Sequence, residues 1–194
     1  MKSRQALTLL LAVAAGILLL AILAHSTRGG EPMLADPQIE KLVEGAPQTL
    51  RVSVEGLAGE GSRIPREYTC DGADRPPAVT VSGVPGGAKA VALIMYDPDA
   101  PLGTFIHWLA VAPAQPSVVF PSPQAVEGRN DFHRIGYGGP CPPRGHGPHR
   151  YYFLAVALDT LPRLEQGYSL QQLLEAARGH VVAWGYTMGT YERR

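Results

Sequence analysis

KAVALIMY, residues Lys89–Tyr96, followed at once by DPDAP, residues Asp97–Pro101, is the stretch on which the reading of this chain turns. Beyond Lys89 the run is apolar at every position. It is bounded by Gly86 and Gly87 on one side and by Asp97-Pro98 on the other. That pattern predicts a central strand buried on both faces. The segment behind it sets Asp97 and Asp99 two residues apart between prolines, a stiff loop at the end of a buried strand. A plain turn uses the same residue types.

Outward from this strand, Phe105–Ala112 (FIHWLAVA) and Arg150–Asp159 (RYYFLAVALD) read the same way, and Arg51–Glu55 (RVSVE) alternates with period two. His180–Tyr191 reads as the last strand, with Gly185 as a bulge marker. One segment is helical by pattern. Ser169 and Gln172 form a capping box, Leu170, Leu173, Leu174 and Ala177 recur at helical spacing, and Gly179 stops the helix. The expected fold is mainly β: an antiparallel β-sandwich with a large central sheet and one or two short peripheral helices. The long Pro-rich connection Pro113–Phe132 is expected to wrap the domain or to serve its function.

Ahead of the domain, Ala6–Ala24 is an uncharged apolar run behind Lys2 and Arg4. It is long for the core of a secretion signal, and no A-x-A cleavage pattern follows it. It therefore predicts a transmembrane signal-anchor over residues 1–25, with a cleaved signal peptide as the alternative. The positive-inside rule puts the N-terminus in the cytoplasm and the rest of the chain outside the cell membrane. Residues 26–49, polar and broken by Gly and Pro, read as a linker with a turn of helix near Gln38–Val43, and residues 50–194 as the folded domain.

Acidic and basic residues balance at 17 each, so no basic excess argues for nucleic acid. Two cysteines, Cys70 and Cys141, allow one bridge or two buried thiols, and the compartment decides between them.

Three segments collect the polar chemistry. Asp97 and Asp99 close the first strand. His107 lies within the strand 105–112, on a face otherwise apolar. Residues 136–151 (GYGGPCPPRGHGPHRY) form a Gly/Pro-rich loop whose backbone N–H groups could cradle an anion, and they end with His149 and Tyr151 on one face of a strand. Carboxylates near these histidines would favour the imidazolium form. With a phenol hydroxyl and loop amides, imidazolium groups hold a phosphate or carboxylate by charge-assisted hydrogen bonds.

The pieces Tyr68-Thr-Cys-Asp-Gly72, Asp97-Pro-Asp-Ala-Pro101, Gly103-Thr-Phe-Ile-His-Trp108, Asn130-Asp-Phe132, Gly136-Tyr-Gly-Gly-Pro-Cys-Pro-Pro143, Gly147-Pro-His-Arg-Tyr151, Ala157-Leu-Asp-Thr160 and Gly179-His-Val181 through Gly189-Thr-Tyr191 occur in this order. Together they resemble the phosphatidylethanolamine-binding protein family, in particular its bacterial and archaeal branch often labelled Raf kinase inhibitor-like. The resemblance implies a non-enzymatic binding domain without cofactor, with a pocket for phosphate-bearing or carboxylate ligands formed by Asp97, Asp99, Pro101, His107, Gly139, Pro140, His149 and Tyr151. It implies a cis peptide at Ala100–Pro101, and it makes inhibition or scaffolding of a kinase or serine protease a consequence of binding. Tyr96 departs from the pattern, standing where that branch often has a further Asp.

Two other readings compete. Cys141 with His149 could serve a thiol hydrolase, although no G-x-S-x-G elbow is present. His146-x-x-His149 with Cys141 and a nearby Asp has metal-ligand types, although no helix sets the spacing.

Overall fold

A strand apolar at every position needs a layer on each side of it, and the domain supplies both. Strand β4 (Ala90–Asp97) is buried throughout and pairs antiparallel with β5 (Phe105–Pro113) on one edge and β8 (His149–Leu158) on the other. Alternation then sends its side chains to two different cores. Val91, Leu93 and Met95 pack against Val54 of β1 (Arg51–Val54), Val79 and Val81 of β3 (Val79–Ser82) and Phe120 of β6 (Ser117–Phe120). Ala92, Ile94 and Tyr96 pack on the opposite face with Ile39 and Val43 of α1 (Pro37–Val43) and with Leu173 and Ala177 of α2 (Leu170–Ala177).

The computed structural model describes residues 33–194. Its large sheet has six strands in the order β2-β9-β8-β4-β5-β7, completed by β2 (Ser62–Arg63), β7 (Val126–Glu127) and β9 (Val181–Tyr191). The small sheet has the order β1-β3-β6. The expected capping box at Ser169 is present, its hydroxyl accepting from the Gln172 N–H and the Gln172 side chain accepting from the Ser169 N–H. The connection 113–132 holds β6 and β7 and ends at Phe132.

Several expectations need correction. The sheet is not wholly antiparallel, since β2 runs parallel to β9. The transmembrane helix expected in front of the domain is not part of this fold. No helix among the described residues is long and apolar enough to cross a membrane, and residues 1–25 lie outside the described ones. The fold is a mainly β domain with two short helices. The cis peptide among the described residues is Phe120–Pro121, and Ala100–Pro101 is trans.

Residues 34–49, expected as linker, belong to the folded unit, which runs from Leu34 to Arg194. Asp36 caps α1 by accepting from the N–H groups of Gln38 and Ile39, with Pro37 favourably placed in the first turn. Leu34 and Ile39 are fully buried. The Tyr96 hydroxyl donates to the Leu34 carbonyl at 2.7 Å, and Trp184 Nε1 donates to the Ala46 carbonyl at 3.0 Å. The departure at Tyr96 therefore has a structural role, because its side chain packs on the face opposite the pocket and ties the segment just before α1 to the sheet.

Candidate functional site

Neighbouring antiparallel strands bring opposite ends together, and this alone assembles the site. The C-terminal end of β4, the N-terminal end of β5 and the N-terminal end of β8 lie side by side at one edge of the sheet. Asp97 is the last residue of β4, His107 the third of β5, and His149 and Tyr151 the first and third of β8. Residues 100–103 and 141–143 close over them around a cavity of about 300 Å³.

Of the eight residues expected in the pocket, Asp97, Pro101, His107, His149 and Tyr151 line it. Asp99 does not. It accepts from the Arg150 N–H at 2.8 Å and from the guanidinium at 2.6 Å. Burial would raise its pKa, but these bonds bring it below the ordinary carboxylate range. Gly139 and Pro140 stand behind the wall. The Gly139 N–H donates to Asp74 Oδ1 at 2.7 Å, and the Pro140 carbonyl accepts from Cys70 N–H at 3.2 Å. A Cβ at Gly139 would collide with the Tyr68 carbonyl, so only glycine lets the two segments approach.

The glycine loop does not offer an anion cradle at the amides of Gly136, Gly138 and Gly139. The N–H groups of Gly136, Gly138 and Gly139 go to the Gly128 carbonyl, the His107 carbonyl and Asp74. These three amides shape the wall by spending their hydrogen bonds within the protein.

His107 also differs from expectation. Its Nδ1 lies 2.6 Å from the Gly138 carbonyl, which can only accept, so Nδ1 carries the proton. Burial pushes its pKa down to about 4, and the ring is neutral at pH 7 with Nε2 left as an acceptor. The ring is packed edge-on against Phe132 and Tyr151 and tilted against Phe105. Phe105 and Phe132 give the cavity a largely apolar wall, which sequence reasoning did not assign to the site.

His149 is the ring held by a carboxylate. Its Nδ1 lies 2.7 Å from Asp97 Oδ2, while Asp97 Oδ1 accepts the Asp99 N–H at 2.8 Å. Burial raises the Asp97 pKa despite the hydrogen bond from His149. The other nitrogen of His149, Nε2, lies 2.7 Å from Nδ1 of His146. Tyr151 completes the floor. Its hydroxyl is fully buried and makes no hydrogen bond of good geometry, and burial together with the nearby Asp97 charge raises its pKa.

Cys141, on the cavity wall, is bonded to Cys70. It is therefore not a thiol nucleophile in this state, which removes the basis of the hydrolase reading. His146 and His149 point ring nitrogens at each other across a hydrogen bond, too close for an ion that needs about 2 Å to each. Among the described residues no group of three or more His, Cys, Asp or Glu side chains could hold a metal.

Asp71 and Asp74 flank the wall and were missed. Asp74 holds Gly139 and pairs with Arg134, while Asp71 accepts from Tyr191 and Arg193. The available signal was their position beside Cys70, two acids in the stretch that the disulfide ties to the glycine loop.

Comparison with known proteins gives one answer. Residues 57–192 match the family model described as phosphatidylethanolamine-binding protein. A UPF0098 protein of Pyrococcus horikoshii is 41% identical over 163 residues, which cover 78% of this chain and 82% of the relative. One from Aquifex aeolicus is 44% identical over 143 residues, covering 69% and 83%. The crystal structure of a phosphatidylethanolamine-binding protein homologue from Chlamydia trachomatis superposes with a TM-score of 0.68 at 37% identity, covering 76% of this chain and 99% of that one. Escherichia coli YbcL, described as a member of the mammalian family, superposes with a TM-score of 0.68 at 30% identity, covering 75% and 99%.

Proposed function

This chain belongs to the phosphatidylethanolamine-binding protein family, whose members are in general binding proteins, and from that premise we propose that its cavity binds a small acidic group on an apolar stem, a phosphate monoester or a carboxylate. The observation that carries this reading is the convergence of Asp97, His107, His149 and Tyr151 on one cavity whose wall is otherwise apolar. A few convergent polar groups in an otherwise apolar concave site fit a ligand with a small polar head on an apolar stem.

The chemistry around Tyr151 supports the same class. Tyr151 O–H donates to a ligand oxygen. Neutral His107 presents Nε2, which accepts from a protonated phosphate or carboxylic acid. His149, oriented by Asp97, offers Nε2 once His146 gives way. Phe105, Phe132, Pro142 and Pro143 receive an apolar stem. A volume of about 300 Å³ suits a head group and a short stem. Inhibition of a kinase or serine protease would follow where the acidic group belongs to the target's own chain. The Cys70–Cys141 bridge supports placing the domain in an oxidising compartment.

The test is an NMR titration with inorganic phosphate and phosphoethanolamine on wild type and Tyr151→Phe. Saturable shifts of the His107 and His149 ring signals are expected, with affinity at least about tenfold weaker in the variant, as for loss of one charge-assisted hydrogen bond. Equal affinity in both proteins would overturn the assignment.

A further inference from the structure

A separate depression of about 370 Å³, which shares no lining residue with the cavity, is walled by Arg63, Arg66, Arg144, Arg193 and Arg194 around Asp71. In a chain of zero formal net charge this is a local excess of cations. Among the side chains lining it, five guanidinium groups face two carboxylates, Asp71 and Glu192.

The ion pairs are unevenly shared. Arg194 takes Glu192 at 2.8 Å and Arg193 takes Asp71 at 3.1 Å. Arg144 reaches Asp71 only at 3.9 Å through one terminal nitrogen, and its other terminal nitrogen donates to the Arg194 main-chain oxygen. Arg63 lies over the Tyr191 ring, and Arg66 Nε donates to the Asp71 carbonyl at 2.7 Å. Neither Arg63 nor Arg66 has a carboxylate partner among the described residues.

These cations are also positioned. Arg63 lies on β2, in register with Thr190 of β9, and stacks on Tyr191. Arg66 is held at its Nε by the loop that the Cys70–Cys141 bridge anchors, and its terminal nitrogens remain for a ligand. Fixed guanidinium forks lose little side-chain freedom on binding and match the geometry of an oxyanion with several oxygens.

We propose that this depression is a second anion site, which binds a phosphate-bearing group through Arg63, Arg66 and Arg144 independently of the cavity. Phosphate fits better than carboxylate because a doubly charged group with three free oxygens answers more of the unpaired guanidinium groups. The phosphate can come from a soluble phosphate ester or from an anionic lipid head group.

The experiment titrates the full chain with sodium diphosphate, reading arginine Nε–H NMR signals and calorimetric heat. Four proteins are compared: wild type, Arg63→Gln/Arg66→Gln, Arg144→Gln and Tyr151→Phe. Saturable binding is expected in wild type, with shifts at Arg63 and Arg66. It should weaken at least tenfold in the double variant, weaken less in Arg144→Gln, and persist in Tyr151→Phe. Thermal melts confirm that each variant is folded. Sedimentation with phosphatidic acid vesicles, compared with phosphatidylcholine vesicles, separates the sources: Arg63/Arg66-dependent capture assigns the site to a lipid, and diphosphate binding without capture assigns it to a soluble ester. Diphosphate affinity unchanged in both arginine variants overturns the site. Loss of binding in Tyr151→Phe also overturns it and places the anion in the cavity instead.

Discussion

His149 Nδ1 stands 2.7 Å from Asp97 Oδ2, and both side chains are almost wholly buried, at 2% and 4% exposure. With the Asp99 N–H on its other oxygen, the Asp97 carboxylate has a partner on each side. Asp97→Ala strands the His149 Nδ1–H in the interior. We expect a loss of about 3 kcal/mol in urea unfolding and loss of saturable phosphate binding. Asp97→Asn keeps an acceptor for Nδ1–H and should cost less. Equal losses for the two variants would mean that the hydrogen bond is not what matters.

His107 makes stability depend on pH. Its folded pKa of about 4 lies below the ordinary value of 6.5, so the unfolded chain binds more protons between these values. Stability from this group is fully present above pH 6.5 and is lost as pH falls toward 4, by about 3 kcal/mol over that window. Asp97, whose pKa is raised by burial, acts with the opposite sign: its contribution is present below its unfolded value and lost as pH rises through the raised one. Urea unfolding of wild type and His107→Gln across pH 4–7 isolates the histidine. The variant should show a flatter profile in that range, and a profile parallel to wild type would refute the assignment.

The N-terminal boundary can be tested by truncation. A chain starting at Leu50 lacks Leu34, Ile39 and Val43, each a buried apolar side chain worth about 1.5–3 kcal/mol. It also removes the acceptors of Tyr96 and Trp184. We expect this chain to be unfolded or aggregated by circular dichroism and gel filtration, while a chain starting at Met33 melts cooperatively.

That boundary shows where sequence reading stops. The continuous apolar run of β4 announced two covered faces, and alternation alone divides it between two cores. Ser169 and Gln172 announced their helix through a cap that needs no tertiary partner. Helix α1 is only seven residues long and is stabilised chiefly by the sheet it covers, so its polar flanks dominated the pattern, although Asp36-Pro37 was a readable start signal. Gly185 marks no bulge. It pairs regularly with Ala155, and it must be glycine because the Leu50 carbonyl passes over it, an approach from a distant segment that no local pattern encodes. At the site, the family order of motifs pointed to Asp97, His107, His149 and Tyr151, and these four line one cavity. The fate of the Gly138 and Gly139 amides was invisible, because it depends on His107 and Asp74, 31 and 65 residues away.

His146 is the exposed end of a chain of hydrogen bonds that starts at Asp97 and passes through His149. It sits between Gly145 and Gly147, both in the left-handed region, on a turn that swings at little steric cost. Its Nδ1 occupies the His149 nitrogen that a ligand oxygen would use. An entering anion must either displace this ring or bind without His149. Displacement predicts that His146→Ala, which removes the competitor, binds phosphate several-fold more tightly, with a change in unfolding free energy within about 0.5 kcal/mol, as for an exposed side chain. Direct participation of His146 in the ligand shell predicts the reverse, a weaker affinity in the variant. A phosphate titration of His146→Ala beside wild type, followed at the His149 ring protons, decides between them. Displacement is the expected result, because the His146 ring occupies the His149 nitrogen that the ligand oxygen would use.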